Sequence, residues 1–234
     1  MSRAIAQIRA IKVQRLYLQV AEQLQALIAD DVFKAGERLP SERDLAARFE
    51  VSRPTIREAM IALEIAGAVE VRPGSGVYVV EQGEGLSALT EAQDPGPFEI
   101  LEARRLIEGE ICALAAERIT DQQLTQLQGL LDDMADGGRE GEDAEAADEK
   151  FHCLIAEAAG NSALYATVAW LWQLRNESEI STHFHTRVRQ EGNRPIVADH
   201  KKIVAALKKG DAEASRQAMS AHLQRVIDQL MEVL

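Results

Sequence analysis

The sequence predicts a mainly α-helical protein with an N-terminal winged helix-turn-helix and a C-terminal all-α helical bundle. Residues 41–80 contain two helical patterns joined by a short turn and followed by two β-branched runs, and this order is that of a winged helix-turn-helix. From Phe98 onward the sequence shows helical periodicity and no strand pattern. With 234 residues, of which 46% are hydrophobic, the chain is long enough to form two domains with real cores.

The N-terminal winged domain is predicted to span residues 14–80. Apolar residues at helical spacing predict an amphipathic first helix, and Ser41 and Ser52 each stand at a position suited to an N-cap. Pro54 is compatible with the first turn of a helix, where its missing N–H needs no partner. Gly74 lies between the two β-branched runs, as expected for the tip of a hairpin. The predicted elements are helices at 16–28, 41–49 and 52–66 and a wing at 69–80.

A linker and a helical domain are predicted for the remainder of the chain. Residues 81–97 are polar, contain Gly and Pro, and are typical of a linker. Residues 98–234 are predicted to form an all-α bundle, because apolar residues recur there at helical spacing between Gly and Pro breakers. The predicted helices are 98–117, 121–136, 142–159, 161–184, 195–209 and 211–233.

The net charge of −12 is unevenly distributed along the chain. Residues 1–80 hold 11 basic and 10 acidic side chains, whereas residues 81–234 hold 15 basic and 28 acidic ones. Because salt screens charges beyond about 8 Å, an acidic second domain does not prevent a locally basic helix from binding DNA. It is expected to keep non-specific affinity for DNA low.

Cysteine usage and hydropathy indicate a reducing compartment. Cys112 and Cys153 both lie in helical patterns among apolar residues, so a disulfide framework is not expected. No apolar run approaches the roughly 18 residues of a membrane span, and residues 1–13 do not resemble a signal peptide. The sequence therefore predicts a soluble, cytoplasmic protein with no membrane partner.

Basic and polar side chains at the start of the second motif helix point to DNA recognition. Arg53, Thr55 and Arg57 occupy its first two turns and are expected on its exposed face. An Arg fork can pair with guanine O6 and N7, which is worth about 1–3 kcal/mol of base discrimination. For any one arginine the alternative is a solvated surface side chain. Candidates for contacts to the DNA backbone are Arg43, Arg72 and Gly74.

One carboxylate and three imidazoles form a second group of candidate residues. Asp148 and His152 are four residues apart and share a helix face, while His200 and His222 lie on two later helices. These residue types match the ligands of a Zn, Ni, Mn or Fe site with open positions. The spacing alone does not bring three helices together, so histidines on the surface or in the core are an open alternative.

Three further residues are candidates for lining the same interior. Arg104 lies beside an apolar stripe of the first bundle helix and needs an anionic partner or a route to water. Arg175 follows Trp172 in a helical segment, and His185 belongs to a His-Phe-His stretch. A surface Arg and loop histidines are the respective alternatives.

The segment LPSERDLAARFEVSRPTIREAMIALEIAGAVEVRPGSGVYVV, residues 39–80, resembles the DNA-binding domain of the GntR family of bacterial transcription factors, in its FadR-like branch. Pro54 replaces a polar residue that some members use, so no side-chain hydrogen bond is expected there. The resemblance implies a homodimer that binds double-stranded operator DNA. The positions that match DNA-contacting residues of that branch are Arg43, Arg53, Thr55, Arg57 and Gly74.

The C-terminal segments resemble the helical effector-binding domain of the same branch, the FCD type. The patterns D-x-x-F-H followed by G-N-S at 148–162 and D-H-K-K-I-V-A-A-L-K-K-G-D at 199–211 carry the resemblance, with A-x-x-x-A-M-x-x-H-L ending at Leu223. It implies a divalent metal ion, Zn first, with Ni, Mn and Fe as alternatives. The implied ligands are Asp148, His152, His200 and His222.

Two further segments, GPFEILEARRLIEG and NSALYATVAWLWQLR, resemble the hexuronate-responsive regulators of this branch. The resemblance implies a transcriptional repressor, not an enzyme, with a small carboxylate effector such as glucuronate, galacturonate or fructuronate. We expect the effector to bind at the metal and to pair with Arg104. One alternative is a regulator of the same family that responds to another small organic acid. The other is a metal-dependent hydrolase, against which stand the absence of an obvious general base and an unused DNA-binding module.

Overall fold

A computed structural model describes residues 15–72, 74–81, 94–136, 142–190 and 197–233. The chain separates into two compact units, one N-terminal and one C-terminal. Both agree with the predicted fold class, since the first is a winged helix-turn-helix and the second is helical. Residues 82–93, which make up most of the predicted linker, lie outside the described part, so the domain limits remain a prediction. Within the described residues, no helix is long and apolar enough to cross a membrane.

Three helices and a hairpin make up the N-terminal unit. The first helix lies against the third, and Leu18, Leu24, Ile56 and Leu63 of these two helices are fully buried. The two strands pair with each other in a small sheet. The elements are α1 (Leu16–Ala29), α2 (Glu42–Phe49), α3 (Arg53–Ile65), β1 (Val69–Arg72) and β2 (Gly76–Val79).

Local capping residues set the bounds of α2 and α3, as predicted. Ser41 Oγ accepts a hydrogen bond from the Asp44 amide at 3.2 Å, and Ser52 Oγ accepts one from the Thr55 amide at 3.2 Å. Between the two helices, Glu50 adopts a left-handed conformation with φ of 57°. This left-handed residue ends α2 and lets α3 begin after a short turn.

The C-terminal unit is a bundle in which α4 contacts most of the other helices, with its most extensive contact to α10. Its core contains the fully buried side chains of Ile111, Phe151, Trp172 and Phe184. In the described part of the chain the helices of this unit are α4 (Pro97–Ala116), α5 (Asp121–Asp136), α6 (Glu142–Ala158), α7 (Ser162–Glu177), α8 (Glu179–Gln190), α9 (Val197–Lys208) and α10 (Ala212–Val233).

The prediction of one helix over residues 161–184 was wrong. The chain leaves the helical conformation at Ser178, where ψ is 127°, and a new helix runs from Glu179 to Gln190. The Ser178 carbonyl accepts from the Thr182 amide at 2.8 Å, and Thr182 Oγ1 donates to the Asn176 carbonyl at 3.0 Å. Ser followed by Glu favours a helix start, but the break carries no Gly or Pro. His183 and His185 consequently lie in a helix and not in a loop.

Candidate functional site

The exposed side of the helix-turn-helix carries most of the predicted DNA contacts. The Arg53 side chain, at the start of α3, is 56% exposed, and Thr55 is half-buried with its hydroxyl 2.8 Å from that of Ser52. Arg43 and Arg72 are exposed. Gly74 is also exposed and has a φ of 68°, a conformation that favours glycine and leaves the hairpin tip without a side chain. These positions suit contacts to a duplex, and their roles remain predictions.

Arg57 departs from its predicted position on the exposed face. It is 3% exposed, and its Nε and Nη2 atoms donate to the two carboxylate oxygens of Glu42 at 2.6 and 2.8 Å. The pairing joins α2 to α3. Glu58, the next residue of α3, is also buried. The Arg57 fork is therefore engaged within the protein.

The four predicted metal ligands come together in the C-terminal bundle. Asp148 and His152 on α6, His200 on α9 and His222 on α10 each offer one ligand atom, and these atoms lie within 4.8 Å of one another. His200 Nε2 is 2.7 Å from Asp148 Oδ1, and His152 Nε2 is 3.6 Å from the same oxygen. The three histidines are buried and Asp148 is half-buried. Three helices thus bring four possible ligand atoms together in one group.

Glu108 on α4 bonds to His152, one of these predicted ligands. Its carboxylate forms a short hydrogen bond with His152 Nδ1, and Arg104 Nε donates to its other oxygen at 2.6 Å. Burial opposes ionisation of Glu108, but Arg104 and His152 outweigh it and lower the pKa of Glu108 to about 2. Because Nδ1 of His152 is engaged, Nε2 is the nitrogen that faces the other ligands, an arrangement typical of metal-binding histidines.

The remaining polar atoms of the group fit a divalent cation. Among the described residues, His152 Nε2 and His222 Nδ1 are buried without a hydrogen-bond partner, which costs about 1–3 kcal/mol for each atom. Burial and the neighbouring His200 and His152 rings hold the pKa of His222 well below its usual value. Burial opposes ionisation of Asp148, but the neighbouring His200 and His152 rings outweigh it and hold the pKa of Asp148 well below its usual value. A neutral imidazole and a charged carboxylate are the forms that bind metal ions.

Arg104 lies deep in the same interior. Its guanidinium carbon is 4.0 Å from the centre of the Trp172 ring, and its Nη2 atom has no hydrogen-bond partner in the described part of the chain. Trp172 in turn lies 5.7 Å from the His152 ring. A buried guanidinium with an unused N–H pair next to a metal-type donor set is suited to an anion.

The other two predicted effector residues lie near Arg104. Arg175 is 5.1 Å from the Trp172 ring and pairs with Glu145 at 3.3 Å. His185 is buried, and burial together with the charges of Arg175 and Arg104 holds its pKa well below the usual value. Neutral His185 can act as a hydrogen-bond donor and acceptor next to two cations.

Sequence reasoning missed Glu108 and gave Trp172 little weight. Glu108 lies four residues after Arg104, a spacing that places the two on one helix face and could have identified the pair. Its second partner, His152, is 44 residues away in the chain, and no local pattern indicates that contact. Trp172 was recognisable only as an apolar residue of a helix.

Comparisons with known proteins assign a family to each unit. A family model described as "Bacterial regulatory proteins, gntR family" matches residues 16–79. A second, described as "FCD domain", matches residues 99–225. Together the two matches span most of the chain and correspond to the winged unit and the helical bundle.

Relatives of known role extend the match over nearly the full length. The Uxu operon transcriptional regulator of Escherichia coli is 37% identical, with 95% of this chain and 90% of the relative covered. The Exu regulon transcriptional regulator of the same species is also 37% identical, with 90% and 83% covered. A crystal structure of a GntR family member from Pseudomonas syringae pv. tomato is 19% identical, with a TM-score of 0.50 and coverage of 93% and 84%, and it supports the fold alone.

Proposed function

The chain belongs to the GntR family of bacterial transcriptional regulators and carries an FCD domain, and on this premise we propose that it is a hexuronate-responsive repressor. It binds double-stranded operator DNA as a homodimer through the winged unit. A hexuronate binds in the helical bundle, next to a divalent metal ion, and weakens the binding of the operator. Its family and its relatives are regulators of transcription and not enzymes, so the hydrolase alternative is set aside.

One observation carries the proposal: a metal-type donor group and a buried arginine share the interior of the bundle. Asp148, His152, His200 and His222 would hold the ion, which is Zn by ligand type, with Ni, Mn and Fe as the alternatives. When bound, the ion supplies open positions for a carboxylate and an adjacent hydroxyl group. The unpartnered histidine nitrogens described above support this assignment.

The side chains around the ion orient an acidic ligand. Arg104 keeps Nε on Glu108 and directs Nη2 to a carboxylate oxygen of the effector, a charge-assisted bond. Trp172 packs under the guanidinium and fixes its plane. Arg175 adds a second positive charge near the Trp172 ring. A neutral sugar leaves the Arg104 N–H groups without an anion, so the bundle favours acids.

The operator is bound by the exposed positions of the winged unit. Arg53 and Thr55 contact the major groove, and Arg43 contacts a backbone phosphate. Arg72 and Gly74 bring the wing close to the duplex. Arg57 contributes indirectly, because its pairing with Glu42 fixes α3 against α2. The effector changes DNA affinity only by binding more tightly to one arrangement of the dimer than to the other.

The relatives' names support a hexuronate over other acids. Two relatives are regulators of the Uxu operon and the Exu regulon, and the segments around Arg104 and Trp172 resemble hexuronate-responsive regulators. A regulator of the same family that responds to a different small organic acid is the second candidate. An effector panel that includes glucuronate, galacturonate, fructuronate and lactate separates the two.

A DNA-binding assay with effectors tests the proposal. The metal-loaded protein is expected to bind an inverted repeat from its own promoter region and to release it when glucuronate, galacturonate or fructuronate is added. Glucose at the same concentration is the control and is expected to have no effect. Operator binding that responds to lactate and to none of the three hexuronates would show that the effector is a different small acid. A protein that binds no such repeat at fixed salt would refute the regulatory role of the winged unit.

A further inference from the structure

Two buried serine hydroxyls at the junction of α7 and α8 have no hydrogen-bond partner among the described residues. Ser178 is 2% exposed and Ser181 is fully buried. The Trp172 Nε1–H group is buried and unpartnered in the same sense. Leaving such a group without a hydrogen bond in the interior is unfavourable. Three such groups at the end of α7 and the start of α8 indicate a place built for an additional polar molecule.

A chain of contacts connects the Ser181 face of α8 to the proposed effector site. Ser181, His185 and Arg189 are spaced by four residues and therefore lie on one face of the helix. Arg189 pairs with Glu145 at 3.5 Å, and the same Glu145 oxygen pairs with Arg175 at 3.3 Å. Arg189 of α8 and Arg175 of α7 therefore meet at one carboxylate, which brings this face of α8 and the Arg175 turn of α7 to the same part of the bundle.

Trp172 completes the connection to Arg104. The Arg175 guanidinium lies 5.1 Å and the Arg104 guanidinium 4.0 Å from the Trp172 ring. The positive charges of Arg175, Arg104 and Arg189 also bear on His185 and help to lower its pKa, after burial. Trp172, which carries one of the unpartnered groups, thus adjoins the arginine that the proposed function assigns to the carboxylate. His185, four residues from Ser181, is close enough for Arg175 and Arg104 to act on it.

We infer that Ser178, Ser181 and Trp172 Nε1 form a hydroxyl-recognition subsite for the sugar chain of the effector. Two serine hydroxyls can each donate and accept a hydrogen bond, while the indole N–H only donates. These donors and acceptors match the alcohol groups of a polyhydroxylated acid, whereas a short or apolar acid has no group that could bond to them. The inference rests on the proposed function and deepens it, because it states which part of the effector distinguishes a hexuronate from smaller 2-hydroxy acids.

Replacing each serine by alanine tests the subsite in the full-length, metal-loaded protein. Glucuronate and glycolate are titrated calorimetrically, since glycolate carries a carboxylate with an adjacent hydroxyl and no further alcohol groups. Ser181→Ala is expected to weaken glucuronate binding about threefold to tenfold, the effect of one lost hydrogen bond, and the Ser178→Ala/Ser181→Ala variant more than that. Glycolate affinity is expected to change less than twofold.

Ser215 supplies a matched control, because it is fully buried, has an unpartnered hydroxyl within the described residues and lies on α10. Ser215→Ala is expected to leave the affinity for both acids unchanged. Without ligand, Ser181→Ala is expected to melt at the same or a higher temperature, because it removes an unsatisfied group. Equal losses for glucuronate and glycolate, or no loss for either, would overturn the subsite alone. Absence of glucuronate binding by the unaltered protein would overturn the proposed effector, and the subsite with it.

Discussion

Arg57 on α3 and Glu42 on α2 form a two-point ion pair, with nitrogen–oxygen distances of 2.6 and 2.8 Å. The Arg57 side chain is 4% exposed, whereas that of Glu42 is 19% exposed. The pair therefore links the two helices of the DNA-binding motif from within. Glu42 also lies 3.4 Å from the exposed Arg53, so one carboxylate restrains both arginines at the start of α3.

This relationship predicts that the two arginines affect different properties: Arg57 the stability of the protein, and Arg53 its affinity for operator DNA. Arg57→Ala removes both short bonds to Glu42 and leaves this half-buried carboxylate with only the longer contact to the exposed Arg53. It is expected to lower the free energy of unfolding by about 2 kcal/mol. Arg53→Ala is expected to change unfolding little and to weaken specific operator binding by roughly 1–3 kcal/mol. Urea unfolding and a salt-controlled binding titration measure the two effects. Equal stability losses in both variants would contradict the structural role of Arg57.

The contrast between these residues shows what local sequence signals predict. Ser41 and Ser52 act on amides three residues away, so their caps and the order of elements in the winged unit were predictable. Arg57 and Glu42 are fifteen residues apart and meet only after α2 packs on α3. A helix-face pattern that treated Arg57 as a polar, exposed position could not anticipate this tertiary contact.

The same distinction holds in the bundle. The residue types of the metal-type group were visible in the sequence, but α6, α9 and α10 had to fold together before the donor atoms lay within 4.8 Å. Resemblance to a family, and not periodicity, pointed to that grouping. The break at Ser178 was missed because a serine without a neighbouring Gly or Pro is a weak signal of a helix end inside an apolar period. The unpartnered hydroxyls of Ser178 and Ser181 lie at that break, so they were not predicted either.

The donor group predicts a metal content of about one divalent ion per chain by elemental analysis of the purified protein. The His200→Ala/His222→Ala variant is expected to lose the ion, because it removes two of the four donors. His183→Ala is the matched control, since His183 is an exposed histidine of α8 and should leave the metal content unchanged. An ion that persists in the double variant would place the metal elsewhere.

Glu108 is predicted to tune the affinity of that ion without binding it. Glu108→Gln keeps the size of the side chain but removes the charge that orients His152 and pairs with Arg104. We expect the affinity for Zn to fall about 10- to 100-fold, as measured by competition with a chelator. Glu110→Gln, on the same helix and paired with Arg216, serves as the control. Unchanged affinity in both variants would argue against an orienting role for Glu108.

His185 predicts a stability loss on mild acidification of the metal-free protein. Its pKa in the folded protein lies well below 6.5, so below about pH 6.5 only the unfolded chain takes up the proton. The free energy of unfolding therefore falls as the pH drops, by about 1 kcal/mol from pH 7.5 to 5.5 for this one group. The charged groups that act on it are Arg175, Arg104, Arg189 and Asp148.

Urea unfolding of His185→Gln at the two pH values isolates this contribution. The variant is expected to lose about 1 kcal/mol less than the unaltered protein over that interval, whereas other groups titrate equally in both. His183→Gln is the control and should follow the unaltered protein. An identical pH dependence in all three proteins would mean that His185 is accessible to protons in the folded state.

Arg104 predicts discrimination between a uronic acid and its parent sugar. Its buried Nη2 atom has no partner among the described residues, so a carboxylate gains a charge-assisted bond that a neutral sugar cannot form. We expect glucuronate to bind at least about tenfold more tightly than glucose, or roughly 1.4 kcal/mol. Arg104→Ala is expected to abolish the effect of glucuronate on operator affinity and to spare DNA binding without effector. The neighbouring Arg105→Ala is the control and should retain the response. Equal affinity for glucuronate and glucose in calorimetric titrations would contradict the proposed contact between Arg104 and the carboxylate. Binding of long-chain acyl compounds alone would assign the bundle to a different class of effector.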